Sequence, residues 1–299
     1  MKVKTLNLDF NNKMQPIELS TRQNLLSEIF EGKWVARYKG RGMEFSEYRN
    51  YVYGDDANNI DWRASLRSNN LLVRQFEQDR SVNALFVLDV SDNMLFSSRQ
   101  DGKMKVEYAA ELVMAMSRPI LNTGNAAGLI MFNNTIVTKL DPNIGLAVEH
   151  RMKSLLTNPE NYGGKFNFNK MMKVLLNLKE SKLVIIIITD FIGLKKGWAK
   201  YIEILNEKYD IIGIMVKDHR DRYLPPRGQV VVQNPSSNKR IFVDSSKYGK
   251  LYHQTILDEE RNISRLFKAI KCDMLRLETT EDAFSKLVKF FRKRIVVNS

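Results

Sequence analysis

The stretch Ala84-Leu85-Phe86-Val87-Leu88-Asp89-Val90-Ser91-Asp92-Asn93-Met94 decides the fold. A short apolar run ends in an aspartate, and a serine follows two residues later. A buried parallel strand that delivers a carboxylate and a hydroxyl to a loop at its C-terminal end has this pattern. Leu183-Val184-Ile185-Ile186-Ile187-Ile188-Thr189-Asp190 ends the same way. Two carboxylates at the ends of neighbouring strands, with a serine between them, describe a hard-cation site made of oxygen ligands.

Outward from these two runs, residues 83 to 216 alternate strands with helices. Strands are predicted at Asn83–Asp89, Ala126–Phe132, Thr135–Leu140, Leu183–Thr189 and Asp210–Val216, and amphipathic helices at Lys105–Ser117, Phe168–Leu178 and Trp198–Lys208. Such alternation implies right-handed crossovers and a mainly parallel sheet. Asn133-Asn134 between two short apolar runs predicts a hairpin and an antiparallel edge. Further on come a hairpin of Gln229–Val232 with Arg240–Val243, a helix from Lys247 to Ile270, a strand from Asp273 to Leu277 and a last helix from Glu281, capped by Thr280. The expected class is α/β: a mainly parallel, Rossmann-like sheet flanked by helices, with a mixed N-terminal segment and a small β-hairpin insertion. The expected division is 1–80 for that segment and 81–299 for the α/β domain, with the hairpin near 228–244. Within the first part, Ser20–Phe30 predicts a helix, Gly40–Arg49 reads as a polar, turn-rich stretch and Leu71–Glu77 as a strand.

Composition bounds the function. The chain has 299 residues, 43% of them hydrophobic and 27% charged, as in a globular protein. The apolar runs fall far short of the ~18 residues of a membrane helix, and Met1-Lys2-Val3-Lys4-Thr5 lacks the apolar core of a signal peptide. A single cysteine, Cys272, excludes an intramolecular disulfide and is expected as a packed thiol. Cytoplasmic residence is the expectation. The formal charge of +13 favours acidic partners. It is spread along the chain, however, so nucleic acid is not the partner expected. No phosphate loop, nucleophile elbow or metal-spaced histidine set occurs; His150, His219 and His253 stand far apart.

A longer order of residues is more specific. Gly40-Arg41-Gly42-Met43-Glu44-Phe45 leads to Tyr48-Arg49, then Tyr53-Gly54-Asp55-Asp56, then Ile60-Asp61-Trp62-Arg63-Ala64-Ser65-Leu66-Arg67. With Asp89-Val90-Ser91, Ile188-Thr189-Asp190 and Thr279-Thr280-Glu281-Asp282 downstream, it resembles the bacterial family called domain of unknown function 58. Its members carry this signature ahead of a von Willebrand factor A-like domain. Within the signature, Glu44, Asp55, Asp56 and Asp61 interleave with Arg41, Arg49, Arg63 and Arg67. Bidentate arginine–carboxylate pairing makes a structural knot the expected role, with Trp62 largely buried. A docking surface is the rival.

The resemblance also implies a metal-ion-dependent adhesion-like site: Asp89, Ser91 and Asn93 from the first loop, Asp190 from the third. The site is degenerate. Asparagine stands at Asn93 in place of serine, and Lys165 or Phe166 falls where the second loop of such domains has threonine. Lys165 is expected to bring an ammonium to the carboxylates, leaving no cofactor or only weakly bound Mg2+. The function expected is therefore a non-enzymatic protein-interaction module that presents this degenerate edge, Asp89, Ser91 and Asp190, to its partner. The resemblance implies a MoxR-type AAA+ ATPase as partner, with the chain acting as adaptor or co-chaperone toward a client protein. Nucleic-acid or anionic-surface binding is the alternative, and a metal-dependent phosphohydrolase using Asp89 and Asp190 a weaker one.

Overall fold

A polar antiparallel ribbon and an apolar parallel sheet divide the chain. The computed structural model describes residues 5–10, 43–68, 70–78, 83–99, 102–180, 183–226, 228–233 and 239–298. The helix expected at Ser20–Phe30, the Gly40-Arg41-Gly42 turn and the Asn234–Asn238 hairpin turn lie outside them. Described residues between 43 and 78 form one unit; those of 5–10 and 83–298 form a second.

In the smaller unit, β1 (Met43–Asn50) pairs antiparallel with β2 (Leu72–Gln78), with an irregularity between Phe45 and Glu47. The polar stretch expected as turns is thus largely a strand. Its backbone groups find a ladder on β2, whatever its side-chain polarity. Between the strands lies α1 (Trp62–Ser68), a helix the sequence reading had not placed. Its buried residue is Ser65, whose Oγ donates to Asp61 O (2.7 Å) and accepts from Leu72 N (2.8 Å). Trp62, expected to be buried, is 61% exposed. The helix presents a hydroxyl to β2, and so small a unit has little interior to cover an indole.

The larger unit is built on six strands: β3 (Asn83–Asp89), β4 (Ala126–Phe132), β5 (Ile136–Asn143), β6 (Leu183–Thr189), β7 (Asp210–Lys217) and, after a separate hairpin, β10 (Asp273–Glu278). Their order is β10-β7-β6-β3-β4-β5, all neighbours parallel except β4 with β5. The fold is mixed α/β with a mainly parallel central sheet flanked by helices. The antiparallel edge turns at Asn133, whose Oδ1 accepts from Thr135 N (3.0 Å). The hairpin is β8 (Gln229–Gln233) with β9 (Arg240–Asp244).

Strands β3, β4, β6 and β7 are buried almost throughout, which explains their unbroken apolar runs. Alternate side chains serve opposite faces. On one face, Leu85, Val87, Leu183, Ile185 and Ile187 join Phe168, Trp198 and Phe267. These come from α4 (Phe168–Leu176), α5 (Trp198–Lys208) and α7 (Ser245–Ala269). Gly213 in β7 leaves room for that cluster, because a Cβ there would lie 2.6 Å from the Phe267 ring. Elsewhere α2 (Lys105–Asn122) packs on β3, β4 and β7, α3 (Leu146–Thr157) packs on α2, and α6 (His219–Arg222) is a single turn after β7. The last helix, α8 (Ala283–Asn298), is capped by Asp282 and not by the expected Thr280: Asp282 Oδ1 accepts from Phe284 N (3.2 Å). Cys272 is buried just before β10.

Candidate functional site at the sheet edge

Strand order reverses between β3 and β6, since the chain passes from β3 to β4 on one side and later returns to β6 on the other. In open α/β sheets a crevice forms at the C-terminal ends of such strands. Asp89 closes β3 there, and Asp190 follows β6. Both are buried, as are Ser91 and Thr189. The structure therefore brings Asp89, Ser91 and Asp190 to one edge, with Asn93 half-buried in the same loop.

The loops that carry them are laced together. Gly163 N donates to Val90 O (2.7 Å), Asp92 N to Gly164 O (2.8 Å) and Gly164 N to Asp92 Oδ1 (3.1 Å). Gly164 sits at φ +95°, and an added Cβ would meet Asn133 Nδ2 at 2.8 Å, so both conformation and space ask for glycine. After Asp190 the chain turns through Phe191 at φ 53°, a region that a bulky residue occupies only when its surroundings hold it there. The ring is packed among Phe168, Trp198 and Phe267, with centroids 5.6 to 6.4 Å apart.

Each carboxylate oxygen of the pair accepts a hydrogen bond from the protein. Asp89 Oδ1 accepts from Ser91 N (2.9 Å) and its Oδ2 from Thr189 Oγ1 (2.7 Å). Asp190 Oδ1 accepts from Ile192 N (2.9 Å) and its Oδ2 from Lys105 Nζ (2.8 Å). Lys105 opens α2, is buried, and also reaches Asp221 Oδ2 at 2.9 Å. Lys217, at the end of β7, is buried nearby. Asp218 caps α6 and accepts from Ser98 N (3.1 Å), tying that turn to the loop after Asp89.

Burial and the Asp190 charge push the Asp89 carboxyl up to about 7. Burial also works against the Asp190 anion, but the Lys105 and Lys217 ammonium groups more than offset it and hold its pKa below the ordinary range. Burial lowers Lys217, against the pull of Asp190 and Asp221. Lys105 is raised: its carboxylate partners outweigh its own burial.

The ammonium at Asp190 thus belongs to Lys105 and not to the expected Lys165. Lys165 is exposed, and Phe166 is half-buried against the core with its ring 6.2 Å from Phe168. This donor set is a poor fit for a resident divalent cation. The carboxylate oxygens are committed, an internal cation already neutralises Asp190, and no group of three acidic, histidine or cysteine side chains among the described residues has metal-holding geometry. Ser91 Oγ is the exception, a buried hydroxyl with no partner at full hydrogen-bond geometry. The sequence reading missed Lys105, Thr189, Lys217 and Asp221. A lysine closing the apolar run of β7 was the legible sign.

Residues of the signature are placed in the smaller unit. Arg49 grips Asp55 with both terminal nitrogens (2.7 and 2.6 Å). Asp61 Oδ1 accepts from Arg63 N and Ala64 N, and its Oδ2 from Tyr48 Oη and Arg74 Nε, both at 2.9 Å. The arginine that pairs with Asp61 is Arg74, outside the signature; Arg63 contributes only a backbone N–H here. Asp56 Oδ1 accepts from Asn58 N (3.0 Å). Trp62, Arg63, Leu66 and Arg67 of α1 are exposed. Glu44 lies in β1; its side chain, like Arg41, falls outside the described residues.

The parallel sheet, its reversed order and the carboxylates at the reversal define a class of α/β proteins with a strand-end site. The particular family is shown by sequence: the model described as Protein of unknown function DUF58 matches residues 47–261, and the chain belongs to that family. The uncharacterized protein Rv1480 of Mycobacterium tuberculosis is 25% identical over 286 residues, covering 94% of this chain and 88% of that one. Among solved structures, an aerotolerance-related membrane protein from Bacteroides fragilis aligns at 15% identity and a TM-score of 0.46, over 73% of this chain and 100% of that one. BatB from Bacteroides thetaiotaomicron aligns over the same shares at 15% identity and a TM-score of 0.43. Among the described residues of this chain, no helix is long and apolar enough to cross a membrane.

Proposed function

We propose that this chain is a non-enzymatic, cytoplasmic interaction module whose von Willebrand factor A-like sheet edge uses an internal ammonium where related sites use a metal. One observation carries the reading: Lys105 Nζ sits 2.8 Å from Asp190 Oδ2 and 2.9 Å from Asp221 Oδ2. A fixed charge in that place orders the loop ends permanently. Loops held in this way need no metal to keep their shape. In this reading the degenerate adhesion-like site, Asp89, Ser91, Asn93 and Asp190, is a positioning network, and binding uses exposed residues. Trp62 and Leu66, one turn apart on α1, are exposed, as are Arg63 and Arg67 at the same spacing, and Val52 and Tyr53 are exposed in the preceding loop. Such a set of side chains suits an acidic protein surface with an apolar pocket. The partner proposed is the one the family resemblance implies, a MoxR-type AAA+ ATPase, which would supply any hydrolysis.

The test is a titration of the purified chain with a MoxR-type AAA+ ATPase from the same organism, with millimolar Mg2+ or with chelator, alongside calorimetric Mg2+ titration of the chain alone. Equal affinity for the ATPase under both conditions, and a Lys105→Met variant that takes up Mg2+ where the natural chain does not, support the reading. Mg2+ uptake by the natural chain that Asp89→Ala abolishes sinks it. Salt-steep, sequence-indifferent binding of DNA in place of the ATPase would turn the assignment to the basic surface.

A further inference from the structure

The hairpin of β8 and β9 is unlike every other strand pair in the larger unit. Its sheet has two strands among the described residues, and among them neither outer edge is paired. It is also apolar where it meets solvent: Phe242 is 78% exposed, Ile241 60% and Val231 52%. A lone two-stranded ribbon is marginal in water, and an open apolar edge is a template for another strand. Natural edges are usually blunted by charge or proline along their length. Here the charges stand only at the two ends of β9, Arg240 and Asp244, with Ile241-Phe242-Val243 between them.

That order is self-complementary. If two copies of β9 meet antiparallel about a two-fold axis at Phe242, Arg240 of each faces Asp244 of the other, Ile241 faces Val243, and the two Phe242 rings adjoin. Opposed residues share a face of the sheet. Because Val231 pairs with Phe242 within the hairpin, one face gains an apolar row of Val231, Phe242, Phe242 and Val231 across four strands. The end groups are set for this. Arg240 Nε donates to Gln233 Oε1 (3.1 Å), which holds the guanidinium on that same face. Asp244 caps α7 through Ser246 N (3.0 Å), and the Ser246 hydroxyl keeps its carboxyl below the ordinary range, hence charged. The outer strand β8 is also palindromic about Val231, but it would oppose only glutamines at its ends.

We infer that β9 is a homodimerisation edge, and that its occupant is β9 of a second copy of this chain. The interface is small, so the dimer is a weak, reversible one. Self-association of this kind follows the symmetry that most protein oligomers use.

Sedimentation of the full chain across the micromolar to millimolar range tests it. The natural chain should dimerise. Arg240→Asp should weaken dimerisation about tenfold, because like charges then face each other at both ends. Asp244→Lys should do the same. An equimolar mixture of the two variants should recover the natural affinity, since each copy then meets opposite charge at both ends, and only folded chains can give that recovery. Because Cys272 is the sole native cysteine and is buried, a Phe242→Cys variant should form a disulfide-linked dimer on mild oxidation, whereas Val231→Cys should not. A natural chain that stays monomeric throughout overturns the proposal. So does a dimer insensitive to both charge variants, or one that Val231→Cys links and Phe242→Cys does not. Weakening without recovery in the mixture overturns the register.

Discussion

Asp89 in the larger unit and Asp61 in the smaller one are both little exposed and both accept hydrogen bonds on both oxygens, yet their carboxyls shift in opposite directions. Asp89 is pushed up to about 7; Asp61 is pulled down to about 2. Asp61 accepts from four donors and Asp89 from two, but the neighbouring charges differ as well. Asp61 receives the Ala64 N–H, the Tyr48 hydroxyl and the Arg74 guanidinium, and the charge that acts on it is that cation. Asp89 receives a hydroxyl and an amide, but it lies deep in the sheet edge beside the Asp190 anion, and the nearest ammonium is spent on Asp190. The lesson is that a buried carboxylate is governed by who owns the neighbouring charge. Lys105 and Lys217 act on Asp190, and Asp89 beside it is left high.

The largest test of that contrast removes the ammonium. Lys105→Met should cost about 3–5 kcal/mol of stability, the usual price of leaving a buried charge unpaired, as measured by urea unfolding. Adding Asp190→Asn to it should cost less than the sum of the two single changes, because the second change removes the charge the first left stranded. A loss below about 1 kcal/mol for Lys105→Met would mean that Asp190 and Asp221 are neutralised some other way.

Next in size is the pH dependence. The Asp89 pKa is raised in the folded chain from the ordinary 3.8 to about 7, so between those values the folded state holds a proton that the unfolded state has released. The stability this proton brings is fully present below the unfolded pKa and is lost as pH rises through about 7. Asp89→Asn should therefore flatten the fall in melting temperature over that window and gain on the natural chain at alkaline pH. A variant that loses ground as pH rises would break the assignment.

Much of this architecture is legible in the sequence. Leu183 to Ile188 could only be a strand buried on both faces, and its bounds and those of β3 and β4 are the ones the apolar runs predict. The pairing of Asp89 with Asp190 was legible for the same reason, since a strand end fixes where its next residue goes. Three features were not. Glu47, Arg49 and the glycines made residues 40–49 look like turns, because a strand stabilised by its partner leaves little trace in its own composition. Lys105 was only the first residue of a predicted helix; the docking of α2 beneath the sheet edge is what buries it. Lys165 drew attention because it lies in the loop beside the site, but proximity of a loop does not set the direction of its side chain.

Asp61 supplies a smaller test with the opposite sign. Its pKa falls from 3.8 to about 2 on folding, so the stability it contributes is present above the unfolded value and lost as pH falls through about 2. A carbon-detected NMR titration of the side-chain carboxyls should find Asp61 near 2 and Asp89 near 7, a separation that no common solvent effect produces. Arg74→Gln should move the Asp61 midpoint upward and leave Asp89 where it is. A joint shift of both would mean that the two regions share one electrostatic environment.

The smallest effect on stability is expected from the largest exposed side chain of α1. Trp62 is 61% exposed, and the helix that begins with it is held to β2 through Ser65 and Asp61. Trp62→Ala should therefore change stability by no more than about 0.5 kcal/mol, the range of surface substitutions. If the indole is instead an anchor for a partner, the same change should weaken ATPase binding at least tenfold, since aromatic residues flanked by arginine dominate binding energy at interfaces. Measuring both on one variant separates the roles. Lost stability with intact binding would return Trp62 to a structural part, and loss of neither would move the docking surface off α1 altogether. Loss of binding alone, with Ser65→Ala showing the reverse pattern, would show one short helix dividing its faces between holding the unit together and meeting its partner.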